Sequence, residues 1–375
     1  MKRNSVIVIA LGAALAFAAC GKEETKKAEP APKPNEPETK APEKPEPISQ
    51  KELKLRLGEL VKAVNARDTA KMAEFFADDI VLEYVDSVPP IKSTGKDAVV
   101  KGAEGYFKAF PDAKTEASYV FMNGKDEVVV VSSMYGTNTG EFMGQPATNK
   151  TVGMMSARHL KVNPQGQVVY EAAYMDQGTM MGQLGLMGEE GMARVREPVE
   201  VQGNPPKFIS TTDSDTELRN LDTVDHMGKA MNAHNVEVTM QHYADDATFS
   251  YMSDREDRKG KEAMSKAMTD WFKMTSDVKS TMKWTWAAGD FVVGVSETTG
   301  TNDGPLPFGN MPATNKKFKT TELHVMELAD AKIKHHWIFA NSVAMASQLG
   351  LMPKPGEKPA GAEGDEDDGE APAEE

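Results

Sequence analysis

The chain is 375 residues long and carries 57 acidic against 43 basic side chains, a net charge of −14 at pH 7. That balance speaks against a nucleic-acid partner, which needs a cationic surface to displace counterions. One cysteine excludes an intrachain disulfide, and the length allows two separate buried cores.

In chain order, Met1-Lys2-Arg3 gives a basic start, Val6 to Ala19 an apolar run too short to persist as a spanning helix, and Ala18-Ala19-Cys20-Gly21 its end. This is the pattern of a signal peptide over residues 1–19. The small residues before Cys20 resemble the lipobox of bacterial lipoproteins, with Phe17 where that box usually has Leu. The resemblance implies cleavage before Cys20, acylation of its thiol and new amino group, and a bacterial envelope protein held on a membrane. Gly21 after the cysteine resembles outer-membrane sorting. Residues 20–50 are dominated by Glu, Lys, Pro, Ala and Thr and contain nothing that can form a core. They read as a disordered tether, of which ~25 residues at ~3.1 Å each would reach up to ~80 Å. Residues 354–375 read as a disordered acidic tail around Asp365 to Asp368.

Between these ends the chain repeats itself. Pro-Ala-Thr-Asn-Lys occurs at Pro146 to Lys150 and at Pro312 to Lys316, and Gln-Leu-Gly-Leu-Met at Gln183 to Met187 and at Gln348 to Met352. Gly136-Thr137-Asn138, Phe107-Lys108 and Ala77-Asp78-Asp79 return as Gly300-Thr301-Asn302, Phe272-Lys273 and Ala244-Asp245-Asp246, all at offsets of 164 to 167. A near-constant offset means two copies of one domain, placed at 51–187 and 218–353. Residues 188–217, with Pro198, Pro205 and Pro206, read as the connection.

Each copy begins helical and ends extended. In the first, Leu53, Leu57, Leu60, Val61 and Val64 recur at helical spacing over Glu52 to Asn65, and a second short helix covers Thr69 to Phe76. A strand is expected at Ile80 to Val85 and a helix from Asp97 to Phe110. Extended stretches follow at Ala117 to Met122, Glu127 to Tyr135, Val152 to Val162 and Gln167 to Met175, separated by turns such as Asn123-Gly124. Helices followed by an antiparallel meander give an α+β class.

That order, with Asn65-Ala66-Arg67-Asp68, Gly136 to Phe142, Pro146 to Lys150 and Gln183-Leu184-Gly185, resembles the SnoaL-like polyketide cyclases and ester cyclases of the nuclear transport factor 2-like superfamily. The second copy resembles them through Asn232-Ala233-His234-Asn235, Phe308-Gly309-Asn310, His336-Trp337 and Gln348-Leu349-Gly350. The resemblance implies two tandem cone-shaped α+β barrels. In each, N-terminal helices pack in a strongly curved antiparallel sheet around an apolar pocket. It also implies an acid–base aspartate near the end of the last strand, which falls on Asp176 in the first copy and on Asn341 in the second. The cyclase pattern Gly-Thr-His-x-Gly reads Asn138 and Asn302 in place of its histidine.

Strand parity puts Tyr170, Tyr174 and Asp176 on one face, and His335, Trp337, Phe339 and Asn341 on the matching face of the second copy. The expected pocket is therefore lined by Tyr170, Tyr174, Asn138, Asn302, His335, Trp337, Phe339 and Asn341, with Asp176 either an acid–base group or the N-cap of the following helix. His159 and His324 align at an offset of 165. His335 and His336 are adjacent and splay apart, so no metal site is expected, and nothing calls for a cofactor. Met181, Leu184 and Met187 have core-packing spacing. Three readings stand: a binder of a small apolar or aromatic ligand or of an envelope protein, a cyclase- or isomerase-type enzyme using Asp176, and a purely architectural pair. In all three the tandem domains are expected to pair within the chain.

Overall fold

The computed structural model describes residues 48–306 and 311–352. Cys20, the signal peptide, nearly all of the tether, the acidic tail and Phe308-Gly309-Asn310 lie outside the described residues.

Local chemistry sets the helical start of each domain. The Ser49 hydroxyl accepts from the Glu52 N–H at 3.2 Å and opens α1 (Gln50–Ala66), which Arg67 ends in the left-handed conformation at φ 56°. Asp68 then caps α2 (Thr69–Ala73). There follow β1 (Phe76–Tyr84), β2 (Ile91–Thr94), α3 (Lys96–Ala109), β3 (Lys114–Met122), β4 (Glu127–Thr137), β5 (Thr151–Val162), β6 (Val168–Tyr174) and α4 (Gln177–Gln183). The expected connection carries α5 (Gly188–Arg194) and β7 (Lys207–Ser210). The second domain runs α6 (Asp215–Asn232), α7 (Val236–Gln241), β8 (Tyr243–Tyr251), β9 (Arg258–Lys259), α8 (Gly260–Met274), β10 (Lys279–Ala288), β11 (Phe291–Thr301), β12 (Lys317–Ala329), β13 (Lys332–Phe339) and α9 (Ser342–Leu349). Ser214 and Glu217 close a capping box at the start of α6.

The strands form a seven-stranded sheet in the order β2-β1-β6-β5-β4-β3-β7 and a six-stranded one in the order β10-β11-β12-β13-β8-β9. Each is antiparallel except where the first strand lies parallel to the last, β1 on β6 and β8 on β13, and where β7 joins β3. Proline spacing hid β7, which adds in parallel to the edge of β3 through Lys207 to Ser210. The concave side of the first sheet holds Leu53, Leu57, Met72, Phe75 and Val99 from the helices against Ile80, Leu160 and Val162. Val224, Met227, Met240 and Met264 do the same in the second domain against Met326 and Ile333.

A further core joins the two sheets. Phe121, Val129, Val131, Ala157, Ala172 and Tyr174 of the first pack against Phe291, Val293, Val295, Val325, Trp337 and Phe339 of the second. Each large side chain fully withdrawn from water is worth roughly 1.5–3 kcal/mol, so this shared layer is a substantial bond between the domains. Both faces of each sheet are consequently covered.

The repeated strings touch one another. In both copies an asparagine braces the loop before the fifth-strand position. Asn138 donates to Gly140 O at 2.8 Å and accepts from Thr148 N at 2.8 Å, while Asn302 does the same with Gly304 O and Thr314 N, each at 2.8 Å. The braced loop delivers Lys150 or Lys316 to the glycine that ends the last helix. A Cβ on Gly185 would fall 2.1 Å from Lys150 Nζ, and one on Gly350 would fall 2.0 Å from Lys316 Nζ, both glycines having φ 74°. A cation beside a helix C-terminus is favourable, and only glycine sits in this backbone region without strain. Gly350→Ala is expected to cost about 1–2 kcal/mol in urea denaturation, through left-handed strain and displacement of Lys316. A loss below about 0.3 kcal/mol would show that the glycine is dispensable.

Candidate functional site

Asp176 and Asn341 stand at equivalent places and each caps its own helix. The Asp176 carboxylate accepts from Thr179 N at 2.8 Å and Thr179 Oγ1 at 2.7 Å through Oδ2. Its Oδ1 reaches across to the other domain and accepts from Ser342 N at 2.8 Å and Ser342 Oγ at 2.6 Å. Asn341 returns the contact: its Oδ1 accepts from Gln177 N at 3.3 Å and Val343 N at 3.2 Å, and its Nδ2 donates to Gln177 Oε1 at 2.7 Å and Asp86 O at 2.9 Å. The two helix starts thus cap one another. Gly178 permits the approach, since a Cβ there would lie 2.4 Å from Ser342 Oγ. Asp176 is 1% exposed and all four of its acceptor positions are filled, which leaves no lone pair facing a cavity.

The other expected lining residues divide three ways. Asn138 and Asn302 are the loop braces described above, buried and engaged with backbone. Trp337 and Phe339 lie in the core between the sheets, where His335 stacks on Trp337 at 3.5 Å and meets Ser250 Oγ through Nε2 at 2.8 Å. Tyr170 and Tyr174 share that interdomain face, the first donating to Glu83 Oε1 at 2.5 Å. Burial pushes both phenols up, and Glu83 adds to the rise at Tyr170. The face they occupy is the outer one, so they form no floor inside the cone. Tyr170 and Tyr174 do meet His159, Lys161 and Trp284 around an open interdomain cleft of about 410 Å³.

The inside of each cone is lined by residues of the opposite parity. In the first, Arg158 forms an ion pair with Glu171 on the adjoining strand. Burial works against the guanidinium's charge, but Glu171 and Tyr84 outweigh it and raise the group above its ordinary value. In the second, Tyr243 OH lies 2.8 Å from His336 Nδ1, His336 Nε2 lies 3.0 Å from His324 Nδ1, and His324 Nε2 lies 2.8 Å from Ser296 Oγ. A neutral imidazole has one N–H, so this chain of bonds runs wholly in one direction or wholly in the other. Glu322 adjoins it, with Oε2 3.7 Å from His324 Nε2, and is held by Thr298 at 3.2 Å and Tyr251 at 3.4 Å. Burial pushes the Glu322 carboxyl up to about 7 and His324 down to about 4. His336 falls well below its ordinary value through burial and the two neighbouring imidazoles.

The pairing of His159 with His324 is corrected by strand register. Ser132 faces Ser156 on β4 and β5, whereas Ser296 faces Glu322 on β11 and β12. Glu322 therefore answers to Ser156, His324 to Arg158 and Val325 to His159. The loop from Asn302 to Lys316 is two residues longer than that from Asn138 to Lys150, which shifts the offset from 164 to 166. An ion pair in one cone thus corresponds to an imidazole pair in the other.

No curated protein matches the chain. Among solved structures it is similar to a candidate SnoaL-like polyketide cyclase from Jannaschia sp. CCS1, at 18% identity and TM-score 0.35 over 38% of this chain and 99% of that one. It is also similar to TsrD from Streptomyces laurentii, at 18% identity and TM-score 0.33 over 36% and 97%. For IdmH, a candidate polyketide cyclase from Streptomyces antibioticus, the values are 23% and 0.31 over 35% and 98%. The family model for the SnoaL-like polyketide cyclase matches residues 55–184 and again residues 222–349. With two such matches across most of its described residues, the chain belongs to the SnoaL-like polyketide cyclase family and carries that domain twice.

Proposed function

We propose that this is a lipid-anchored protein of the bacterial cell envelope whose paired SnoaL-like domains bind a small apolar or aromatic molecule, with Asp176 serving as a helix cap and not as an acid–base group. The observation carrying the reading is the state of the Asp176 carboxylate, fully engaged in capping two helices and withdrawn from solvent. A group that must take and return a proton needs a free lone pair within reach of the substrate. Ligand binding is tested by a stability screen of the full chain against aromatic and aliphatic compounds. A true ligand raises apparent stability by about 2.7 kcal/mol at a hundred times its Kd. A screen in which no compound class raises the midpoint would overturn the binding reading.

Anchoring rests on the sequence around Cys20. Wild-type protein in its native host is expected to partition into membranes and to label with a palmitate analogue, and Cys20→Ser to do neither. Soluble, unlabelled wild type would defeat the anchor. The tether in this reading supplies reach alone, so shortening residues 22–47 should leave the domains folded.

A second reading, an isomerase- or cyclase-type enzyme, draws on one observation: the Tyr243–His336–His324–Ser296 chain beside Glu322 inside the second cone. Such a chain can pass a proton between its ends, which the Arg158–Glu171 ion pair cannot. Turnover lost in His336→Phe but kept in Asp176→Asn would favour this reading over the first.

A further inference from the structure

The two domains meet with near-twofold correspondence, yet the side of their interface that holds the cleft beside Tyr170 and Tyr174 is filled differently from its counterpart. Strand register makes Tyr119 the counterpart of Trp284, since each follows the bulge in its edge hairpin and faces Val131 or Val295. Trp284 reaches the first domain and lies 4.5 Å from the His159 ring, centroid to centroid. Tyr119 reaches the second domain in the same way, 5.4 Å from Phe291 and 6.0 Å from Trp337. The difference lies one layer in. Ala172 occupies on β6 the place that Trp337 occupies on β13, so an indole fills one side and a methyl group leaves the other open. Strand β7 also covers the Tyr119 edge, with Lys207 Nζ 5.5 Å from that ring, while among the described residues β10 is the edge of its sheet.

The open side is chemically specific. Its walls are Tyr170, Tyr174 and Trp284, which present flat apolar surface. The charge of Lys161 is already met by Glu127 at 3.3 Å. His159 is 4% exposed, and its Nε2 has no hydrogen-bond partner, the nearest carboxylate oxygen being Glu127 Oε1 at 3.7 Å. A buried polar atom without a partner costs stability unless something supplies the bond. The lining is thus charge-balanced and aromatic, and its His159 Nε2 is a buried polar atom without a hydrogen-bond partner.

We infer that this interdomain cleft is a binding site for an uncharged planar aromatic molecule bearing one hydroxyl or carbonyl group, which pairs with His159 Nε2 while its ring lies against Trp284 and the two tyrosines. This deepens the ligand-binding reading above and rests on it, but places the ligand between the domains and outside both cones.

The probe is 2-naphthol, compared with naphthalene, 2-naphthoate and 2-naphthylmethylammonium, titrated into the full chain by calorimetry with imidazole NMR as the second readout. The expected result is that 2-naphthol binds and shifts the His159 ring resonances. Naphthalene should bind at least tenfold more weakly because it leaves Nε2 unpaired, and both charged analogues should also be weaker. Ala172→Trp, which copies the residue of the second domain, should abolish binding, and Trp284→Ala and His159→Leu should each weaken it at least tenfold. Circular dichroism checks that each variant is folded. 2-Naphthol affinity unchanged in the folded variants would overturn this site while leaving ligand binding elsewhere intact. Tighter binding of either charged analogue would overturn the ligand class. If none of the four probes binds the wild type, the inference falls, and the wider stability screen alone then decides the binding reading.

Discussion

Asp176→Ala is expected to destabilise the protein by about 4 kcal/mol, more than loss of an ordinary helix cap. A cap removed at a surface helix costs about 1 kcal/mol. Here one side chain satisfies two helix starts, and its removal leaves the buried Thr179 N–H and the part-buried Ser342 N–H without acceptors at roughly 1–3 kcal/mol each. The Thr179 and Ser342 hydroxyls lose their acceptors as well, though they can rotate. Asp176→Asn should be intermediate, about 2 kcal/mol, because an amide has one acceptor oxygen and its NH₂ must face one of the two donor pairs. Asn341 does not have this problem, since its NH₂ has acceptors in Gln177 Oε1 and Asp86 O. Gly178→Val should reach a similar loss from a different direction, by driving a side chain into Ser342. Urea denaturation followed by tryptophan emission checks all three. An Asp176→Ala variant within 1 kcal/mol of wild type would mean that the reciprocal caps carry little of the link between domains.

The duplication and the α+β cone were legible because the repeated strings are themselves structural. The asparagine brace, the lysine and the helix-ending glycine need one another in space, so they recur together in sequence. Strand parity was also legible: Tyr170, Ala172 and Tyr174 do alternate with Glu171. What could not be read was which face lies inside the cone. A sheet with one wet face shows polar residues outward, but here the outer face is covered by the other domain. Ser132, Ser156, Arg158 and Glu171 look like a solvent-facing stripe, yet they line the first cone, and Glu322, His324 and His336 line the second. The apolar stripe of Ala157, Ala172 and Tyr174 looks like a pocket wall and is the interdomain core. Pairing of buried charges with partners from other strands carries no local sequence signal. The missed strand β7 has a similar cause, since it is short, follows two prolines and owes its pairing to an edge strand far away in sequence.

The buried groups of the second cone set opposite pH dependences, and removing one should expose the other. His324 is held at about 4, below the ordinary imidazole value of about 6.5, so between these values the unfolded chain binds more protons than the folded one. Stability from this group is complete above about pH 6.5 and is lost as pH falls toward 4, on the order of 3 kcal/mol in all. His336 adds to the loss in the same direction. Glu322 works against them: its folded value of about 7 exceeds the ordinary carboxyl value, so the folded state binds more protons between about 4.5 and 7. Its contribution is present at low pH and is lost as pH rises through that window, again on the order of 3 kcal/mol. In wild type Glu322 offsets about one of the two imidazole slopes between pH 5 and 6.5. Glu322→Gln keeps the hydrogen bonds to Thr298 and Tyr251 within reach while removing the titration. The variant should match wild type near pH 4 and exceed it at pH 8 by about 3 kcal/mol, and its stability should now fall steeply on acidification because the imidazoles act unopposed. Urea midpoints at pH 4, 6 and 8 read this directly. A constant difference between variant and wild type across the three values would show that Glu322 does not titrate in the folded protein within this range.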